Sequence, residues 1–141
     1  MSDKYFLDTN ILIYAYDHSD PAKHAKALSL IEAISQSGTP VVSTQVFQEF
    51  AASVRKKAKP LLSTRQIQQI LVEILQAWEV FVGNAVTIIA ALEIEERFRI
   101  SFWDALILSA AHSSAATILY TEDLNHGQTY GHVQVVNPFK A

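Results

Sequence analysis

Tyr5-Phe6-Leu7-Asp8-Thr9-Asn10-Ile11-Leu12-Ile13 is the stretch on which the fold turns. Its first three residues form a short apolar run suited to a buried strand, and the run stops at an aspartate. A brief helix follows through Ile11 to Tyr16. Outward from this stretch the hydrophobic period keeps switching between two and about 3.6. Asp20 reads as an N-cap, with Pro21 at the first helical position and Gly38 as the stop. Between them Ala25, Leu28, Ile31 and Ile34 recur at helical spacing. Val41 and Val42 make a second short strand. Ser43 or Thr44 caps the next helix, whose stripe is Phe47, Phe50, Ala51 and Val54 and whose end is set by Pro60. Ser63 and Gln66 form a capping box for a helix carrying Ile67, Ile70, Leu71, Ile74 and Leu75. Val80 to Val82 is a third strand and Gly83-Asn84 a turn. Helices then run from about Thr87 to Phe98 and from Ser101 to His112, and Ile118 to Tyr120 and Val133 to Val136 close the chain as strands.

Short apolar strands alternating with amphipathic helices imply a parallel sheet covered on both faces, an α/β sandwich. A chain of 141 residues is expected to form one domain, spanning 1–141. Half of its residues are hydrophobic, which excludes a disordered or low-complexity chain. The absence of cysteine excludes a disulfide framework, a thiolate metal site and a cysteine nucleophile together. Met1 to Tyr5 carries Asp3 and Lys4, unlike a signal peptide. The longest low-charge stretch, Phe81 to Leu92, falls short of the ~20 apolar residues of a membrane span. A soluble, cytoplasmic protein with no membrane partner is expected. The formal net charge of -3 would by itself disfavour a nucleic-acid partner.

Where acids interrupt apolar sequence, the reading changes. Asp8 follows Tyr5-Phe6-Leu7 directly, and Asp104 is the only charge in Phe102-Trp103-Asp104-Ala105-Leu106-Ile107-Leu108. Glu49 lies between Phe47 and Phe50, and Asp123 follows Ile118-Leu119-Tyr120 by three residues. In a parallel sheet the carboxyl ends of the strands share one edge, and ligands bind in the crevice outside it. Asp8 and Asp123 belong there. Glu49, about 7.5 Å along a helix from Thr44, leans back toward it. Asp104 lies near it if its helix starts at the same edge. Each acid has an ordinary reading too: Asp104 as part of a helix start, Asp8 as an N-cap, Glu49 as a solvated position, Asp123 as turn chemistry. All four would have to hold together to remove the site. Four anions in one crevice require a positive partner, and oxygen ligands without thiolate point to Mg²⁺ or Mn²⁺. Such an ion activates water and polarises a phosphoryl oxygen. Thr9, Asn10, Thr121 and Ser43 offer neutral groups to orient the carboxylates. Without these four acids the remaining charge is 10 acidic against 11 basic residues, so the net acidity is the candidate metal site itself.

Phe6-Leu7-Asp8-Thr9-Asn10-Ile11-Leu12, Glu49, Ser101 to Leu108 and Thr121-Glu122-Asp123 occur in an order that resembles the PIN-domain nucleases, from near residue 4 to about residue 137. The length is similar to that of VapC-type toxins of bacterial toxin–antitoxin pairs. The resemblance implies a three-layer α/β/α fold with a four- or five-stranded parallel sheet, and Mg²⁺- or Mn²⁺-dependent RNA cleavage by an activated water. It implies that Asp8, Glu49, Asp104 and Asp123 form the acidic quartet, with Thr9 or Asn10 and Thr121 as polar support. It also implies a homodimer, an RNA substrate and a small antitoxin that blocks the crevice. The segment after Asp123 departs from the usual toxin ending, so Glu122 is a second candidate for the fourth acid.

Arg55, Lys56, Lys57 and Lys59 put four cations within five residues, either a solvated helix end or a phosphate-contact patch. Arg97 and Arg99 are lesser candidates of the same kind. The histidines lack cysteine partners and an i,i+4 pair, which argues against zinc. His126 near Asp123 is a surface histidine or a phosphate contact. Tyr14, Tyr16, Trp78 and Trp103 read as core or interface aromatics rather than base-stacking platforms. Two rival functions remain. One is a PIN-like module without activity that binds RNA or protein. The other is a phosphohydrolase using Asp8 as nucleophile, which would want a second acid where Asn10 stands.

Overall fold

A computed structural model describes residues 3–140. β1 (Asp3–Leu7) leads into α1 (Thr9–Tyr16) and α2 (Pro21–Ser37), then β2 (Gly38–Ser43), α3 (Thr44–Val54) and α4 (Thr64–Ala77). β3 (Glu79–Phe81), α5 (Ala85–Phe98), α6 (Phe102–Ser113) and β4 (Ile118–Tyr120) follow. β5 (Thr129–Tyr130) and β6 (Val133–Val136) complete the order. The strands form one sheet in the order β3-β2-β1-β4-β6-β5. The first five in that order are parallel, as expected. β5 adds a two-residue antiparallel edge beside β6. Phe6 and Leu7 are neighbours on β1, so they point to opposite faces, and both are fully buried. Val41 and Val42 on β2 repeat this. Both faces of the sheet are therefore covered, giving the three-layer sandwich.

Local chemistry sets the boundaries. Asp20, Ser63, Asn84 and Ser101 each accept a backbone N–H from their helix start, and Ser63 with Gln66 completes the reciprocal box. Of the two candidates for α3, Ser43 is the cap, accepting from Val46 N at 3.4 Å. α3 ends at Val54, six residues before Pro60, in a turn where Lys56 and Lys57 both donate their N–H to the Ser53 carbonyl. The connection from Arg55 to Pro60 is tied instead to the end of α1, where the Asp17 carboxylate accepts from Lys59 N at 3.0 Å. Between helices, Tyr16 of α1 meets Phe50 of α3 edge-on with centroids 5.6 Å apart. Ser109 of α6 donates to the Thr87 carbonyl of α5 at 2.8 Å.

Gly38 closes α2 for a reason other than left-handed backbone. Its φ of -169° is extended, and it pairs with Asp3 in the β1–β2 ladder. A Cβ there would collide with the Asp3 carbonyl oxygen and stand 2.7 Å from Tyr5 Cε2. Gly38→Ala is expected to cost roughly 1–3 kcal/mol of unfolding free energy, read from the urea midpoint at unchanged m-value. An unchanged midpoint would show that the ladder yields at no cost.

Candidate active site

The chain fills the sheet outward from β1 to β2 and β3, then returns to the other side of β1 with β4. The direction of winding therefore reverses between β1 and β4, the place where open parallel sheets bind ligands beyond their carboxyl ends. Asp8 and Thr121 are the first residues past those two strands. The Asp8 N–H donates to the Tyr120 carbonyl at 3.0 Å, which locks the two strand ends together.

Asp8 is 5% exposed, and both its oxygens are engaged. Oδ1 accepts from Thr9 N at 2.7 Å, and Oδ2 accepts from the Thr121 hydroxyl at 2.7 Å. Burial pushes its pKa up to about 7, against the pull of these two hydrogen bonds, and the charges of Asp123 and Glu49 add to the rise. Fully buried Thr121 also accepts from Asp123 N at 3.1 Å, so one hydroxyl fixes two acids. Asn10 donates from Nδ2 to Asp123 Oδ2 at 3.0 Å. The Thr9 hydroxyl donates to Glu49 Oε1 at 2.6 Å. Asp104 sits in the first turn of α6, where its backbone N–H caps onto Ser101 Oγ at 3.1 Å. Burial raises the pKa of both Asp104 and Asp123, and nearby carboxylates add to it.

Asp8, Asp104 and Asp123 each bring a carboxylate oxygen within 4.8 Å of the others. Glu49 lies outside this closest trio, yet its charge acts on all three. Glu122, the alternative fourth acid, is turned elsewhere: it accepts from Tyr14 Oη and from Lys23 Nζ, both at 2.8 Å. Asp123 is the member of the pair that joins the cluster. The sequence profile of the PIN domain matches residues 5–131.

The chain belongs to the PIN domain family.

No curated protein sequence matches it significantly. Among solved structures it is similar to VapBC2 of Rickettsia felis bound to a promoter DNA fragment, at 23% identity and TM-score 0.66, covering 94% of this chain and 96% of that one. A toxin–antitoxin complex from Klebsiella pneumoniae matches at 18% identity and TM-score 0.70, over 97% and 99% of the two chains. Mycobacterium tuberculosis VapC20, a sarcin–ricin-loop-cleaving toxin, matches at 18% identity and TM-score 0.63, over 82% and 86%. At these identities the likeness is one of fold.

In this PIN domain the donor set fits a hard divalent cation. The converging groups are all carboxylate oxygens, held in place by hydroxyl and amide donors. Among the described residues the only salt bridges are Lys4–Glu79 and Lys23–Glu122, so no side-chain cation neutralises the cluster. Asn10 Oδ1 is buried without a partner at the same place. Asn10 also donates to Asp123 rather than supplying the second acid that a phosphoaspartate mechanism wants.

The basic run divides. Lys56 and Lys57 line an open crevice of about 540 Å³ together with Thr9, Asn10, Glu49 and Asp123. Arg55 turns its Nε back to the Ala51 carbonyl of its own helix, and Lys59 does not line the crevice. Arg97 lies over the Phe98 ring, away from the acids. His126 accepts from Asn137 N at 3.0 Å, facing the end of β6. Sequence reading missed Gln45, whose Nε2 donates to Glu49 Oε2 at 3.3 Å and to the Trp103 carbonyl at 3.2 Å. The i,i+4 spacing of Gln45 and Glu49 was the available signal.

Buried Asp8 makes stability depend on pH. Asp8 is raised from an unfolded value near 3.9 to about 7, so between these values the folded state holds the extra proton. Without metal, this contribution to stability is lost as pH rises from about 4 through 7 and is flat above. The urea stability of wild type minus that of Asp8→Asn, measured in EDTA, should fall by a few kcal/mol, roughly, over that window. A constant difference would contradict the burial of an uncompensated charge.

Proposed function

We propose that this chain is a divalent-metal-dependent endoribonuclease and the toxin of a toxin–antitoxin pair, formed by one PIN domain over residues 1–141. The observation that carries this reading is the convergence of Asp8, Asp104 and Asp123 at the β1–β4 switch point, with Glu49 beside them and, among the described residues, no cation paired to them. Asp8, Glu49, Asp104 and Asp123 hold Mg²⁺ or Mn²⁺, which supplies an activated water and polarises the scissile phosphate when bound. Thr121 aligns Asp8 with Asp123, Thr9 aligns Glu49, and Asn10 steadies Asp123. Lys56 and Lys57 bring the RNA backbone across the crevice, positioning phosphate without reading sequence.

Several similar structures are toxin–antitoxin complexes, and VapC20 is described as cleaving the sarcin–ricin loop. These support an antitoxin partner and an RNA substrate. A homodimer acting in the cytoplasm completes the proposal, and among the described residues no helix is long and apolar enough to cross a membrane. The exposed apolar residues of α5, Val86 and Ile89, suit a subunit interface.

Metal-stripped protein should leave mixed RNAs intact, cut them after Mg²⁺ or Mn²⁺ is restored, and stop again in EDTA. Intact RNA in both metals would end the nuclease reading. Expression should arrest growth, with relief by a small protein encoded beside it; unaffected growth would remove the toxin assignment.

A further inference from the structure

On the side of Glu49 away from the lysines lies a second recess of about 250 Å³. Its walls include Phe81, Ile88, Trp103 and Leu106, with Gln45 and Gln48 as polar members. Trp103 is 62% exposed, so the largest aromatic near the site is neither a core residue nor covered within the chain. It directly precedes Asp104. The Gln45 amide bridges Glu49 and the Trp103 carbonyl, so the recess and the acidic cluster share a wall. That bridge fixes the orientation of the Gln45 amide, because a flip would set its oxygen against two acceptors. Gln45 Oε1 is then left without a partner.

We infer that this recess receives a nucleobase of single-stranded RNA next to the scissile phosphate, stacked on the Trp103 indole. The inference rests on the nuclease reading and extends it to substrate choice. Glu49 and Asp123 line the lysine crevice, Gln45 joins Glu49 to the recess, and Trp103 adjoins Asp104, so a strand whose phosphates follow Lys56 and Lys57 to the carboxylates presents its next base to Trp103. Neutral, mostly apolar walls suit the flat face of a base and not a phosphate. Every base has a face to stack, so the recess tolerates different bases. A paired base cannot enter.

The test is binding of short labelled oligo(A), oligo(C), oligo(U) and a duplex RNA, followed by anisotropy for wild type, Trp103→Ala and Trp103→Phe. Light scattering on the same samples reports subunit number. Trp103→Ala is expected to weaken oligo(A) and oligo(C) binding about tenfold or more, with Trp103→Phe recovering most of it. Wild type should favour the single strands over duplex. Equal affinity of wild type and Trp103→Ala would overturn the inference. So would a dimer that Trp103→Ala splits without a change of affinity per chain, since a second copy would then occupy the recess. Because binding is read without cleavage, Trp103-dependent binding by a protein that cuts no RNA would uphold the recess while ending the nuclease reading.

Discussion

Asp8→Asn is expected to lower RNA cleavage in Mg²⁺ or Mn²⁺ on the order of 10³-fold while the protein stays folded. The amide keeps the shape of the carboxylate and can still accept from Thr9 N, but it removes the charge at the most buried point of the cluster. Asp104→Asn should match it, since its cap onto Ser101 uses the backbone N–H and survives the change. Thr121→Val should lose less, about 10- to 100-fold, because it acts by leaving Asp8 and Asp123 without their shared hydroxyl. Initial rates on one RNA, beside circular dichroism of each variant, decide this. Cleavage by Asp8→Asn at the wild-type rate would place the chemistry elsewhere in the molecule.

Phe50→Ala carries the largest expected cost in stability, about 3–5 kcal/mol in urea unfolding. Phe50 is fully buried and meets the Tyr16 ring edge-on, joining α3 to α1. α3 also carries Gln45 and Glu49, so the same side chain that fills the core sets the height of Glu49 beside Thr9. A loss below about 1 kcal/mol would mean that α3 is anchored by other contacts.

Most of this architecture was legible because its signals are local. The run Tyr5-Phe6-Leu7 ending at Asp8 gave the central strand, and Asp20, Ser63 and Ser101 announced helix starts that their own backbone geometry then fixed. Asp8 stood out because a carboxylate buried among apolar residues is costly without compensation. The missed features depend on long-range contact. β5 is two residues long, and its buried Tyr130 packs edge-on against Phe98, far away in sequence, with centroids 4.9 Å apart. Gly38 looked like a helix stop, whereas the close approach of β1 is what demands it. Glu122 and Asp123 are adjacent acids that sequence alone could not rank, and Tyr14 with Lys23 draws the first away. The exposure of Trp103 depends on how α6 starts against α3, which its apolar neighbours concealed.

The central claim is that Asp8, Asp104 and Asp123 hold a divalent cation. Crystals grown with Mn²⁺ and measured at an energy where manganese scatters anomalously test it most directly. The account predicts an anomalous peak bounded by those three carboxylates in wild type and its loss in Asp8→Asn. Absence of a peak there at saturating Mn²⁺, or an equal peak in the variant, would contradict it.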